Sequence, residues 1–175
     1  MTRIFLIGYM GAGKTTLGKA LAHDLGLAFI DLDWHIEECY RKSVQQIFEE
    51  KGEQGFREIE HRMLCEVAEF EDVVVSAGGG TPCFFDNMKH MNECGETVFL
   101  EAAPEVLFRR LRLSCQHRPL LASKTDDELR AFIHESLRKR LPFYREAKHV
   151  FCADELEDKE QIKQSVERFK KQMKL

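Results

Sequence analysis

Residues 8–15 contain glycines, a lysine and a threonine at four positions whose spacing predicts a binding site for a polyphosphate. They read Gly-Tyr-Met-Gly-Ala-Gly-Lys-Thr, which matches the pattern G-x-x-x-x-G-K-[ST]. Glycines allow backbone N–H groups to turn towards phosphate oxygens, Lys14 supplies a positive charge, and the Thr15 hydroxyl is a candidate Mg²⁺ ligand. A chance Gly-Lys-Thr in an ordinary turn is the alternative. The apolar run before the loop and the amphipathic stretch after it argue against that alternative, because they are the strand and helix that the motif requires.

Two carboxylates follow the next apolar run. Asp31 and Asp33 come directly after residues 28–30. If the chain stays extended there, both side chains point to the same side of the strand. Near a magnesium nucleotide, one carboxylate can hold the shell of the metal while the other meets the acceptor hydroxyl. The alternative is that Asp33 is an N-cap for a helix that begins at Trp34.

Two further patterns indicate a ligand. Arg57 and Glu60 are three residues apart on a predicted helix, so Glu60 can hold the guanidinium of Arg57 towards a carboxylate. An exposed ion pair is the alternative interpretation. Three consecutive glycines, residues 78–80, follow a β-branched run and are costly in backbone entropy. They therefore indicate a close approach of the backbone to a ligand.

The region from residue 109 to 148 is basic within an acidic protein. It holds eleven lysines and arginines against five acidic residues, whereas the whole chain has a net charge of −4. An anion-binding lid is one interpretation, and a solvated helix face is the other. Arg118 lies in a segment without periodicity and could close over a phosphoryl group, with surface charge as the alternative. Arg140 could bind a carboxylate or complement the end of a helix dipole.

Strand and helix patterns alternate along the chain. This alternation predicts an α/β fold with a five-stranded, mostly parallel sheet and helices on both faces, and ligands then gather at the carboxyl ends of the strands. The predicted strands are 4–7, 28–31, 73–75, 97–100 and 149–152, and the predicted helices are 15–25, 34–40, 43–52, 56–70, 86–94, 104–115, 126–141 and 158–174. We expect the helix from residue 126 to stop before Pro142.

Composition narrows the class of protein. The chain has 175 residues, of which 43% are hydrophobic and 32% are charged, as expected for one globular domain. The acidic balance argues against a nucleic-acid partner, and no apolar run reaches the ~20 residues that a membrane span needs. The N-terminus leads straight into the first strand, so we expect a cytoplasmic protein. The six cysteines contain no C-x-x-C pair, which favours free thiols over a structural metal site.

The motifs, in this order and from end to end, resemble the shikimate kinase family. They are the loop at 8–16, the F-x-D-x-D at 29–33, the G-E-x-x-F-R-x-x-E at 52–60, the glycines at 78–80, the R-P-L-L at 118–121 and the R-x-P-x-Y at 140–144. The resemblance implies a single P-loop kinase domain over 1–175, with a mobile lid at about 112–124 and a substrate-binding helical segment at about 33–60. It also implies a monomer that uses ATP and Mg²⁺ to phosphorylate the 3-hydroxyl of shikimate.

The same resemblance assigns roles to individual residues. The phosphates would be held by Gly11, Ala12, Gly13, Lys14, Thr15 and Thr16, with Thr15 on Mg²⁺, Asp31 in its outer shell and Arg110 facing adenine. Shikimate would be bound by Asp33, Arg57, Gly79 and Arg140, and the catalytic residues would be Lys14, Asp33 and the lid arginine Arg118. Another small-molecule kinase, such as a gluconate kinase, is the alternative. A GTP-dependent switch is excluded because the chain lacks the N-K-x-D and D-x-x-G motifs.

Overall fold

Five parallel strands form one sheet within the part of the chain that the computed structural model describes, residues 2–114, 121 and 123–175. The strands are β1 (Arg3–Ile7), β2 (Ala28–Asp31), β3 (Val73–Ser76), β4 (Glu96–Glu101) and β5 (His149–Cys152). Their order is β2-β3-β1-β4-β5, and every neighbouring pair is parallel. The predicted strands are confirmed, each within one residue at either end.

Helices connect the strands. They are α1 (Lys14–Leu25), α2 (Leu32–Tyr40), α3 (Val44–Val67), α4 (Asn87–Cys94), α5 (Pro104–Ser114), α6 (Asp126–Tyr144) and α7 (Lys159–Met173), with a 3₁₀ turn at Thr81–Cys83. Helix α1 contacts α7, whereas α3 contacts α2 and α4. Right-handed crossovers place these two groups on opposite faces of the sheet. Among the described residues, no helix combines the length and hydropathy that crossing a membrane requires.

The central strands are apolar because both of their faces are covered. All four residues of β3 are buried, as are Ile4–Ile7 of β1 and residues 97–100 of β4. A strand of a parallel sheet buried on both sides is expected to be continuously hydrophobic rather than alternating. The sheet is therefore the rigid frame from which the loops at its carboxyl edge project.

The C-terminal end of α6 differs from the prediction, and so does that of α3, which ends at Val67 and not at residue 70. Helix α6 does not stop before Pro142 but continues to Tyr144, with the proline inside its last turn. Contacts outside the helix hold that turn, since the Tyr144 ring packs 5.1 Å from the ring of Phe99. Helix α3 begins at the predicted capping box of Ser43 and consists of two helical segments that meet at a kink at the non-helical Gly52, where the first of the two predicted helices ends.

Candidate active site

A cavity of about 530 Å³ lies at the carboxyl edge of the sheet. The loops that follow β1, β2 and β3 line it, and the segment near residue 156 completes the wall. Its volume is typical of a site for a small molecule or cofactor. The structure thus brings residues 11–16, the two aspartates and the glycine triplet together where the sequence predicted that ligands gather.

The loop after β1 presents backbone amides to this cavity. Gly11 and Gly13 have φ angles of 81° and 97°, which side-chain-bearing residues rarely adopt. Gly13 is the N-cap of α1 and offers no side-chain cap, so the positive end of the helix faces the cavity. The Lys14 ammonium donates to the carbonyl oxygens of Gly8 at 2.9 Å and Tyr9 at 3.0 Å. Cationic and N–H groups therefore converge at one place, as an anion site requires.

Thr15 and Asp31 lie side by side. The Thr15 hydroxyl donates to Oδ2 of Asp31 at 2.8 Å, while Oδ1 of Asp31 accepts the backbone N–H groups of Asp33 and Trp34. Asp31 is therefore the N-cap of α2, and the alternative interpretation, in which Asp33 caps a helix beginning at Trp34, is wrong. The chain turns into a helix immediately after Asp31, so the extended geometry assumed for the two aspartates is wrong as well.

Asp33 lies in the first turn of α2 with its carboxyl in the cavity. Burial, followed by the negative charges of Asp31 and Glu60, raises its pKa from 3.8 to about 6, although Lys14 opposes the shift. A carboxylate whose pKa lies near neutral pH can accept a proton from a reacting group and release it again. Asp33 therefore has the electrostatic character of a general base.

Arg57 is held in a buried setting on α3. Its Nη1 donates to Glu60 at 2.8 Å, and the two side chains are 12% and 1% exposed. The interpretation as an exposed ion pair is therefore wrong. Thr81 donates to the second oxygen of Glu60 at 2.7 Å, and the guanidinium lies 4.2 Å from the Phe84 ring. The buried Nε of Arg57 has no hydrogen-bond partner among the described residues.

The backbone of Gly78–Gly80 packs against charged side chains. A methyl group on the last glycine would lie 2.6 Å from Nη2 of Arg57, and one on the middle glycine 3.3 Å from Nη1 of Arg140. On the first glycine it would lie 3.1 Å from Oδ1 of Asp33. The structure shows that charged groups of the protein converge on this backbone because no Cβ separates them. The close approach of a ligand to the triplet stays a prediction.

Tyr144 supports the site, and sequence reasoning gave it no role. Its hydroxyl donates to the carbonyl oxygen of Gly79 at 2.5 Å, and burial raises its pKa. The guanidinium of Arg140 lies 5.5 Å from the Tyr9 ring. The available signal was the spacing of Arg140 and Tyr144, which are four residues apart and therefore share one helix face.

Arg110 fastens the phosphate loop to the segment after β5. Its Nε donates to Glu157 at 2.8 Å, and its Nη2 donates to the carbonyl oxygen of Asp154 at 3.0 Å. Its Nη1 lies 3.3 Å from the carbonyl oxygen of Gly11. Arg110 also lines the cavity, and its contact with adenine remains a prediction.

The basic surplus between residues 109 and 148 is partly neutralised by ion pairs. Arg112 pairs with Asp126, and Arg130 with Glu105. Exposed pairs of this kind contribute little stability, but they reduce the field that a lid could direct at an anion. Arg118 and most of the predicted lid, residues 115–120 and 122, lie outside the described residues.

A parallel sheet whose first strand runs into a phosphate loop, with a carboxyl group of raised pKa in the same cavity and two arginines against the adjoining glycine triplet, is typical of a P-loop kinase that acts on a small molecule. The comparisons with known proteins narrow this class. The shikimate kinase family model matches residues 10–172, and the chain belongs to that family.

Individual relatives agree with this assignment. The chain is 69% identical to the shikimate kinase of Phocaeicola vulgatus over 99% of each chain. A crystal structure of shikimate kinase from Bacteroides thetaiotaomicron superposes with a TM-score of 0.94 at 59% identity, covering 99% of each chain. Shikimate kinase from Acinetobacter baumannii, in complex with shikimate, gives a TM-score of 0.84 at 30% identity over 99% of this chain and 94% of that one.

Proposed function

We propose that the protein transfers the γ-phosphoryl group of ATP to the 3-hydroxyl of shikimate, giving shikimate 3-phosphate and ADP on the route to chorismate and aromatic amino acids. The observation that carries the proposal is the convergence of Arg57 and Arg140 on the glycine triplet, whose middle residue also packs against the backbone of Gly8 and Met10 in the phosphate loop. A hydroxylated carboxylic acid needs such a cation, and a relative has been crystallised with shikimate.

Shikimate recognition follows from the charged groups around the glycine triplet. The carboxylate of shikimate would be bound by the guanidinium groups of Arg57 and Arg140, whose planar forks match two carboxylate oxygens. Gly79 packs closely against Arg140, so its backbone amide would lie beside the same carboxylate. Glu60 leaves Arg57 in one orientation, because both of its oxygens are already engaged. The cost of ordering Arg57 is thus met before the ligand arrives.

ATP would bind through residues 11–16, which include Lys14, at the positive end of α1. Thr15 and Asp31 offer a hydroxyl and a carboxylate 2.8 Å apart, an oxygen donor set that suits Mg²⁺. We assign Thr15 as its ligand and Asp31 to its outer shell. When bound, the ion would neutralise charge on the phosphate oxygens. Arg110 on the adenine side and Arg118 on the transferring phosphoryl group complete the proposed nucleotide site.

Asp33 would orient the attacking hydroxyl and take its proton. A bond forms between the 3-oxygen of shikimate and the γ-phosphorus, and the bond from that phosphorus to the bridging oxygen breaks as ADP leaves. The hydroxyl proton moves to the Asp33 carboxylate. Because phosphoryl transfer passes through a loose transition state, positioning contributes more than the strength of the base. Lys14 and Arg118 would stabilise the charge on the phosphoryl oxygens.

The remaining expectations form part of the proposal. We infer one kinase domain over residues 1–175, which acts as a monomer in the cytoplasm. Within it, residues 33–60 form the substrate-binding segment and residues 112–124 form the lid. Helices α2 and α3 pack against each other and carry Asp33 and Arg57, which supports the assignment of residues 33–60 as the substrate-binding segment.

An assay of ADP release with a panel of acceptors tests the proposal. We expect rapid release with shikimate and slow release with gluconate or with no acceptor. Asp33→Asn should lower kcat by orders of magnitude and leave ATP binding intact. Arg57→Ala should raise KM for shikimate by about ten- to a hundredfold, since charge-assisted hydrogen bonds are lost. Arg138→Ala, an exposed arginine on α6, is the matched control. Faster turnover of gluconate, or an unchanged KM in Arg57→Ala, would reject the assignment.

A further inference from the structure

Three metal-binding side chains meet on the outer side of helices α2 and α3. His35 and Cys39 are one turn apart on α2, and Glu66 lies on α3. Their ligand atoms all lie within 4.8 Å of one another. None of the three lines the phosphate cavity, so this His–Cys–Glu group is separate from the proposed catalytic site.

The distances within the His–Cys–Glu group fit one tetrahedral ion. Sγ of Cys39 lies 3.8 Å from Nε2 of His35, and that nitrogen lies 3.4 Å from Oε1 of Glu66. Zinc bonds of about 2.3 Å to sulfur and about 2.1 Å to nitrogen and oxygen give tetrahedral edges of about 3.6 Å and about 3.4 Å. The sulfur–nitrogen and nitrogen–oxygen distances in the structure are therefore close to those of a tetrahedral site. The remaining sulfur–oxygen edge is no longer than 4.8 Å, and the Glu66 side chain, which is 49% exposed, has room to rotate towards Cys39.

The imidazole of His35 directs one nitrogen at both neighbours. Nε2 is the atom within reach of the thiol and of the carboxylate. A single N–H can point well at one acceptor only, whereas a cation at the centre satisfies the nitrogen lone pair, a thiolate and a carboxylate together. The ring packs edge-on at 6.4 Å against Phe70, and its side chain is only 20% exposed, so its orientation is restrained.

Two other His–Cys pairs in the chain show what distinguishes this group. His61 with Cys65 and His90 with Cys94 are also one helical turn apart, with sulfur–nitrogen distances of 3.9 and 3.8 Å. Within residues 2–114, 121 and 123–175, no third donor joins either pair at the range found in the first group. The carboxylate supplied by the neighbouring helix is therefore the feature that completes a three-ligand set.

We propose that His35, Cys39 and Glu66 bind Zn²⁺ or a similar divalent cation that accepts sulfur and nitrogen ligands. Water fills the fourth position, because Cys39 and Glu66 are exposed. The Cys39 thiol loses its proton to solvent as the sulfur–metal bond forms. The ion links α2 to α3, the helices that carry Asp33 and Arg57. It therefore acts as a clip on the proposed substrate segment.

Titration of the metal-free protein with Co²⁺, without nucleotide and with a phosphine reductant, tests this proposal. A Co²⁺–thiolate charge-transfer absorption should appear with one ion per chain, and added Zn²⁺ should abolish it. Cys39→Ser should remove the absorption, and Glu66→Gln should raise the Co²⁺ dissociation constant about tenfold or more. Cys94→Ser is the matched control and should keep the full signal. Because Cys39 is exposed, Cys39→Ser should melt at the wild-type temperature when no metal is present.

The experiment also separates this group from the proposed magnesium site. Thr15 and Asp31 offer only oxygen, so Co²⁺ bound there gives no thiolate absorption. Absence of the absorption in the wild-type protein would overturn the proposal. The proposal would equally fail if Cys39→Ser kept the signal or if Cys94→Ser lost it. As a second readout, Zn²⁺ should raise the melting temperature of the wild-type protein and not that of Cys39→Ser.

Discussion

Replacing Asp33 with asparagine should make the protein more stable while it destroys turnover. The folded state raises the pKa of Asp33 from 3.8 to about 6, so keeping this carboxylate ionised costs free energy of folding. Each pKa unit corresponds to about 1.4 kcal/mol, and a shift of about 2 units gives an upper value of about 3 kcal/mol. Because the side chain is partly exposed, we expect a gain of about 2 kcal/mol from Asp33→Asn at pH 7.5.

The stability difference between Asp33→Asn and the wild-type protein should depend on pH in a defined direction. Below about pH 4 Asp33 is protonated in both the folded and the unfolded wild-type protein, so asparagine brings no advantage. As the pH rises towards 6, the unfolded chain releases the proton first and the wild-type protein loses stability relative to the variant. Above the folded pKa the difference is constant. For a chain of this length, about 2 kcal/mol corresponds to a rise in Tm of about 4–8 °C.

Urea denaturation and thermal melts of the nucleotide-free protein between pH 4 and 8 measure this difference. Glu38→Gln removes an exposed carboxylate from the same helix and should change the free energy of unfolding by less than about 0.5 kcal/mol at every pH. The reasoning about burial is refuted if Asp33→Asn is less stable than wild type at pH 7.5. A stability difference that does not vary with pH would refute it too.

Three further substitutions test the supports of the site. Gly80→Ala would place a methyl group 2.6 Å from the guanidinium of Arg57, so KM for shikimate should rise about tenfold while KM for ATP stays within about twofold in steady-state kinetics. Tyr144→Phe removes the hydrogen bond to Gly79, and at about 1 kcal/mol it should lower kcat/KM for shikimate about fivefold. An unchanged value would show that this hydrogen bond does not position Gly79. Ser43→Ala removes the capping box of α3 and should lower the free energy of unfolding in urea by about 1 kcal/mol with kcat unchanged.

Local patterns were sufficient for the strands and for most helices. The run Val73–Val75 predicts a strand covered on both faces, and β3 is buried throughout. The end of α6 could not be predicted in this way, because Pro142 is a local signal to stop whereas the contacts of Tyr144 with Phe99 and Gly79 come from distant parts of the chain. Tertiary contacts decide a boundary when they outweigh the lost hydrogen bond. The N-cap of α2 also depends on a contact from another part of the chain. The Asp31 carboxylate that caps this helix accepts a hydrogen bond from the Thr15 hydroxyl as well.

The candidate site likewise combines contacts that sequence spacing predicts with contacts that only the fold brings together. Sequence spacing identifies a pair such as Arg57 and Glu60, because three residues along a helix bring two side chains together. The partners that make the pair useful come from elsewhere, since Thr81 engages the second oxygen of Glu60 and Phe84 lies against the guanidinium. A short motif therefore identifies the groups that we expect to face a ligand. The residues that restrict the motion of these groups come near them only in the folded protein. The His–Cys–Glu group is the limiting case, because its third donor is 27 positions beyond Cys39 and only the packing of α3 on α2 brings it near.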